Sequence, residues 1–119
     1  MKEIINTFKA LSDETRLRIL HLLIERECCV CEVVQSLGIS QTRASRNLKI
    51  LHDAGFLKSR RDGLWVVYSI DKENMGKFSL VLTEAVRKAL KSNKLVAHDR
   101  EQLKGARRVG PGCVIELRK

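Results

Sequence analysis

The stretch Glu32-Val-Val-Gln-Ser-Leu-Gly-Ile-Ser-Gln-Thr-Arg-Ala-Ser-Arg-Asn-Leu-Lys-Ile-Leu-His-Asp53 decides the fold. It reads as two short helices broken at Leu37-Gly38-Ile39-Ser40. In the first, Val33, Val34 and Leu37 form an apolar face, and Gly38 stands where a left-handed residue ends a helix. Ser40 stands where a side-chain oxygen caps the free amides of a following helix. At about 100° per residue, Ala44, Leu48 and Leu51 of that second helix share a narrow apolar arc. Thr42, Arg46 and Lys49 fall on the far side, with Arg43 and Ser45 at its margins. One face packs and the other offers long donors, which is the pattern of a helix-turn-helix whose second helix fits a major groove. Ser40, Gln41, Thr42, Arg43, Ser45, Arg46 and Lys49 are the candidate DNA contacts on it.

The segment after Asp53 decides between a reading helix and a merely solvated basic one. Ala54-Gly55 ends the second helix, and Phe56 to Arg61 and Leu64 to Ile70 are strand-like around Asp62-Gly63, a dipeptide favoured in tight hairpin turns. A hairpin directly after a recognition helix is a wing. Lys58, Arg60 and Arg61 lie on it, where Arg60 and Arg61 can meet the phosphate backbone or a minor groove. The expected fold is mainly helical with a β-hairpin wing (α+β), a winged helix-turn-helix with a helical dimer interface.

Upstream, Ile4, Ile5, Phe8 and Leu11 mark one side of a short helix from Ile4 to Leu11. Ser12 or Asp13 caps the next, Glu14 to Glu25, whose Leu17, Leu20, Leu23 and Ile24 face the core. Glu27-Cys28-Cys29-Val30-Cys31 is too short for a helix and reads as extended. Downstream, a long helix is expected from Asp71 to about Lys91, with Met75, Phe78, Leu82, Ala85 and Ala89 on one seam. With Phe8, that seam is the candidate interface of a homodimer, whose two-fold axis sets two recognition helices about one DNA turn apart. Residues 1–92 form the DNA-binding and dimerisation domain, and residues 93–119 a basic C-terminal tail whose structure the pattern leaves open, with a helix from Lys94 to Arg108 and either a strand or an ordered tail from Cys113 to Leu117.

The bulk numbers agree with one modest domain. The chain has 119 residues, 44% apolar but only 4% aromatic, and a formal charge of +9. Between Ser40 and Arg61, Arg43, Arg46, Lys49, Lys58, Arg60 and Arg61 face a single acid, Asp53, the footprint of a polyanion partner. No apolar run approaches the roughly 20 residues of a membrane span, and the first residues lack the apolar core of a secretory signal, so a cytoplasmic protein is expected. No Gly-rich phosphate loop, carboxylate pair or Ser/His/Asp set suggests an enzyme. A Cys-x-Cys thiol oxidoreductase would need a βαβ frame that the pattern lacks.

Four cysteines in such a compartment stay reduced rather than forming structural disulfides. Cys29 and Cys31, one residue apart, point to one side of an extended segment, and Cys28 points away. Two adjacent thiolates and a third make a soft site suited to trivalent arsenic or antimony, or to a soft metal such as cadmium or lead. Cys28 or Cys113 can supply the third sulfur. His21, His52 and His98 are scattered and read as packing or surface residues.

Glu27-x-x-Val30-Cys31-Glu32-Val33, Ala10-Leu-Ser-Asp-Glu-Thr-Arg-Leu-Arg-Ile-Leu20, Ser40-Gln41, Ser45-Arg46-x-Leu48-Lys49-x-Leu51, Ala54-Gly55 and Gly63-Leu-Trp-Val-Val-Tyr68 together resemble the ArsR/SmtB group of arsenical-resistance-type repressors. The resemblance spans roughly residues 4–89 and implies a dimeric repressor that leaves its operator when an effector binds. The arsenic-sensing branch carries Cys-Val-Cys at the start of the first helix of the motif and a third Cys three residues on. Cys29-Val30-Cys31 matches, whereas the third position is Val34. The zinc-sensing branch uses Asp and His on the last long helix, which here has no His. The expected function is therefore release of operator DNA on binding As(III), Sb(III) or another soft ion. A repressor sensing thiol redox state or persulfide, and a constitutive DNA-binding regulator, are the alternatives.

Overall fold

Helix α2 (Glu14–Glu25) is the element on which the others close, and its sequence explains why. Asp13 caps it, accepting the amide of Arg16 at 3.0 Å. Ile19, Leu20, Leu22 and Leu23 then fall on one side of the helix, an arc of about 160° at 100° per residue, and all four are buried. The computed structural model describes residues 1–109. Around α2 lie α1 (Lys2–Leu11), α3 (Val30–Leu37), α4 (Gln41–Asp53), α5 (Lys77–Ala89) and α6 (Lys94–Lys104). β1 (Cys28–Cys29), β2 (Leu57–Asp62) and β3 (Trp65–Ile70) form one antiparallel sheet in the order β1-β3-β2. This is a winged helix-turn-helix, as the sequence predicts.

The helix-turn-helix closes as its punctuation demands. Gly38 takes a left-handed backbone, φ +68°, and its amide returns to the Val34 carbonyl at 2.9 Å. Ser40 Oγ accepts the Arg43 amide at 3.1 Å and starts α4. At the far end Gly55, φ +92°, allows paired 3.0 and 3.1 Å bonds from Gly55 and Phe56 back to His52 and Leu51. That turn drives Phe56 fully into the core beside Ala44, Leu48 and Leu51. Arg16 of α2 braces the arrangement, its Nε donating to the Ala10 carbonyl at 2.7 Å and its Nη1 to Asn47 Oδ1 of α4 at 2.9 Å.

Four expectations need correction. The cysteine segment is extended only to Cys29, and Val30 and Cys31 already belong to α3, because Cys29 occupies the cap position and Glu32 completes a capping box. The hairpin loop is Gly63-Leu64 rather than Asp62-Gly63, since Asp62 pairs with Trp65 and Gly63 supplies the positive φ of +63°. The long helix starts at Lys77, not Asp71. Residues 71–75 make a separate turn, with the Met75 amide on the Asp71 carbonyl at 3.0 Å, and Gly76 breaks into extended backbone before α5. Met75 is consequently buried in its own core, with Thr83 Oγ1 on its sulfur at 3.4 Å, rather than standing on a dimer seam.

The helix expected from Lys94 to Arg108 is observed as α6 and stops at Gly105. It is docked rather than trailing. Arg18 of α2 grips Asp99 with Nε and Nη2 at 2.9 and 2.8 Å, and its Nη2 also reaches the Leu37 carbonyl at 3.2 Å. Val96 and Leu103 complete the contact. The strand or ordered tail expected from Cys113 to Leu117 lies outside the described residues. No helix among the described residues is long and apolar enough to cross a membrane.

Candidate nucleic-acid interface and sulfur site

The outer face of α4 is open. Thr42, Arg43, Arg46 and Lys49 are exposed, Gln41 and Ser45 half-buried, while Ala44, Leu48 and Leu51 are fully buried behind them. The Arg46 guanidinium has no hydrogen-bond or ion-pair partner among the described residues. Lys49 Nζ lies 3.0 Å from Asp53 on the same face, an exposed pair that costs little to open. Ser40 and Arg43 have local duties too, Ser40 as the cap and Arg43 through its Nη2 donating to Thr15 Oγ1 at 2.8 Å.

The wing stands beside this helix, and His52 of α4 meets Tyr68 of β3 edge to face, ring centroids 6.3 Å apart. On β2 only Leu57 is buried, and Lys58 to Asp62 are exposed. Arg61 is likewise without a side-chain partner among the described residues, whereas Arg60 is ion-paired with Glu27 and lies 3.7 Å from Asp62. Among the candidate contacts, Arg46, Arg61 and Lys49 are the most freely presented cations.

The sheet register explains where the cysteines go. Cys29 pairs with Val67 and Cys28 with Tyr68, so neighbouring cysteines face opposite sides. Cys28 joins the main core, where burial, and then the nearby Glu32 carboxylate, push its thiol up to about 12. It is therefore separated from the pair it was a candidate to complete. Cys29 and Cys31 form a second cluster with Trp65 of β3 and Val109, and their sulfurs lie 2.8 Å apart.

Cys29 is also the cap of α3. Its sulfur faces the Glu32 amide, and the Glu32 carboxylate returns to the Cys29 amide at 2.9 Å. Burial raises the Cys29 thiol above its ordinary value, partly opposed by backbone amides that donate to the sulfur. Burial acts on Glu32 in the same sense, but the Cys29 amide and the Arg26 guanidinium at 2.9 Å together hold its carboxyl below the usual range. Glu32 is thus committed to the helix start. Among the described residues no group of three or more His, Cys, Asp or Glu is placed to hold a metal ion. Cys29 and Cys31 meet and Cys28 does not join them. Cys31 is disulfide-bonded, against the expectation that all four cysteines stay reduced, so it is available to an ion only in the reduced protein. Cys113 lies outside the described residues.

Two features of this site escape a reading of local patterns. Gln35 of α3 spans from the cysteine turn to the segment after α6, its Nε2 donating to the Cys31 carbonyl at 2.9 Å and the Arg107 carbonyl at 2.6 Å. Arg108 lies 5.9 Å from the centroid of Trp65 and reaches Asp62 at 2.5 Å. Only Cys29-x-x-Glu32, at capping-box spacing with sulfur in place of a hydroxyl, carries a local signal of the helix start.

Comparison with known proteins agrees with this geometry. Residues 13–59 match the family model described as bacterial regulatory protein, arsR family. The arsenical resistance operon repressor of Escherichia coli K12 is 40% identical over 84 residues, covering 70% of this chain and 72% of that protein. The chain belongs to the ArsR family. A cadmium resistance transcriptional regulatory protein, a CadC homolog of Staphylococcus aureus, is 40% identical over 74 residues, 61% of each chain, so the match spans about three fifths of that relative's length. In three dimensions this ArsR-family chain is similar to a homodimeric winged helix-turn-helix DNA-binding domain from Mycobacterium bovis, with a TM-score of 0.64 at 29% identity over 78% of this chain and 82% of that one. The family is one of transcriptional regulators, not of enzymes.

Proposed function

We propose that this ArsR-family protein is a repressor that holds operator DNA as a homodimer and releases it when As(III), Sb(III) or another soft ion is bound by Cys29 and Cys31. The observation that carries the reading is the position of the sulfur pair, in contact at the first turn of the helix that supports α4. The relatives named for arsenical and cadmium resistance favour this over a redox signal or a constitutive regulator. The third donor is the Cys113 thiol, from either subunit.

The dimer reading rests on an uncovered apolar face shared by α1 and α5. Ile4, Ile5, Phe8, Phe78 and Val81 are exposed, and Phe8 and Phe78 stack edge to face with centroids 5.4 Å apart. Ala85 and Ala89 also face outward, while Leu82 packs partly on its own core. We infer that a second copy covers this face, since contiguous exposed apolar residues mark interaction surfaces.

The bound ion supplies directional sulfur ligation that water and protons cannot. A Cys29 sulfur committed to it no longer serves the Glu32 amide, so the α3 cap weakens and α3 shifts beneath α4. By linkage, operator DNA weakens ion binding by the same factor, with a coupling of about 1–3 kcal/mol for typical allosteric pairs. Gel shifts of the reduced protein across arsenite, antimonite, cadmium, lead, zinc and oxidant test this. Arsenite should release wild-type protein, and Cys29→Ser and Cys31→Ser should bind operator normally but stay bound with arsenite. Release of both variants by arsenite would place the sensor elsewhere.

A further inference from the structure

We propose that residues 105–109 form a strap that transmits the state of the sulfur pair to the wing, with Arg108 as its positioning residue. This rests on the reading of Cys29 and Cys31 as the effector site and assigns how occupancy reaches the DNA-facing surface. The strap starts at Gly105, where α6 ends, and is fastened at both ends. At the α3 end, Gln35 pairs with both backbone groups of Arg107, donating to its carbonyl at 2.6 Å and accepting its amide at 3.1 Å. The same Gln35 amide donates to the Cys31 carbonyl at 2.9 Å, so cysteine turn and strap share one side chain.

At the other end Arg108 spans the last rung of the wing. Asp62 and Trp65 are directly paired across the hairpin, one on each side of the Gly63-Leu64 loop. Arg108 is ion-paired to the first and lies 5.9 Å from the ring centroid of the second. The Trp65 ring also packs on Cys29 and Cys31, as does Val109, the residue after Arg108. The buried Trp65 indole N–H has no hydrogen-bond partner among the described residues. Any rearrangement of the Cys29–Cys31 turn therefore acts on the wing by two routes, directly through Trp65 and through Gln35, Arg107 and Arg108. The cations that move with the wing are Lys58, Arg60 and Arg61 on β2.

The same contact explains an acid at the tip of a DNA-facing hairpin. Asp62 would repel phosphate, and while the strap is seated Arg108 at 2.5 Å is the nearer of the two cations that offset it, Arg60 lying 3.7 Å away. Displacing the strap removes the nearer cation from that carboxylate and weakens the wing's hold on DNA.

The test uses the reduced full-length protein, arsenite as probe, and three measurements on each variant: arsenite bound by equilibrium dialysis, operator affinity by anisotropy with and without arsenite, and emission of the single Trp. Arg108→Gln and, independently, Asp62→Asn should bind arsenite as wild type does. The arsenite-induced loss of operator affinity, of the order of 5- to 150-fold for a typical coupling, should shrink at least about fivefold in both. Arg108→Lys, which keeps the charge, should restore part of the response. Trp emission should change on arsenite addition in wild type and change less in Arg108→Gln. Undiminished arsenite release in Arg108→Gln and Asp62→Asn overturns the strap while leaving the sulfur site standing. Failure of wild type to bind arsenite in dialysis overturns the effector-site reading itself, and the strap with it. Should Arg108→Gln fail to fold, Asp62→Asn at the exposed wing tip breaks the same ion pair and decides between the same two outcomes.

Discussion

At the start of α4 the hydroxyl of Ser40 accepts the Arg43 amide in the open, at 3.1 Å, on the face offered to solvent. At the start of α3 the same capping position is held by the sulfur of Cys29, fully buried, beside Cys31 and under Trp65. Both caps satisfy free amides at a helix end, but a hydroxyl has no further chemistry to offer and a thiol has a good deal. The reading helix is thus begun by an inert group and its supporting helix by one that a soft ion can take away. Sensing and reading are divided between adjacent helices of one motif, with stability at one end and lability at the other.

The sharpest way to break that division is to remove the reading half. Arg46→Ala combined with Lys49→Ala should lower operator affinity about 100-fold, since each base or phosphate contact is worth roughly 1–3 kcal/mol. Arsenite binding by the double variant should be unaffected, because both side chains are exposed and remote from the cysteine cluster. Anisotropy against a salt series measures the first effect, and a slope shallower than wild type would mark lost phosphate contacts. A change in affinity under about threefold would show that the outer face of α4 is not the reading surface.

The sensing half can be sharpened through pH. Burial raises the Cys29 thiol, so near neutrality its protonated form dominates. A divalent cation must then displace a proton for each such thiol, and its affinity rises with pH, about tenfold per unit for one proton, until the raised folded value is passed. Arsenous acid reacts differently. Each neutral thiol exchanges for one hydroxide of As(OH)3 with loss of water, and no net proton appears. Calorimetric titrations from about pH 6 to 8 should therefore show cadmium tightening steeply and arsenite staying nearly level. A level response for cadmium would mean that Cys29 does not ligate it.

How much of this is legible in the chain depends on the range of the interactions. The helix-turn-helix can be read because its signals are local: apolar residues at Ala44, Leu48 and Leu51, an oxygen at Ser40, glycines at 38 and 55. The start of α5 is concealed because Met75 and Phe78 keep a helical spacing straight through Gly76, which breaks the helix. Cys29 passes for a strand residue, since sulfur is not among the usual capping groups. The docking of α6 cannot be read at all. Asp99 finds Arg18 across 81 residues, and nothing near either marks the other. Gln35 and Arg107, 72 residues apart, are hidden for the same reason.

The smallest expected effect tests whether the two caps really differ in kind. Ser40→Ala deletes a cap oxygen and should cost about 1 kcal/mol. For a domain of this size that lowers Tm by roughly 4 °C. The loss should be the same with and without arsenite, because Ser40 takes no part in the sulfur site. Arsenite at saturating concentration should raise the Tm of both wild type and Ser40→Ala, as any ligand of the folded state does, and should leave Cys29→Ser unmoved. Thermal unfolding at fixed protein concentration reads all three chains, and an arsenite shift that survives in Cys29→Ser would remove the chemical distinction between the caps.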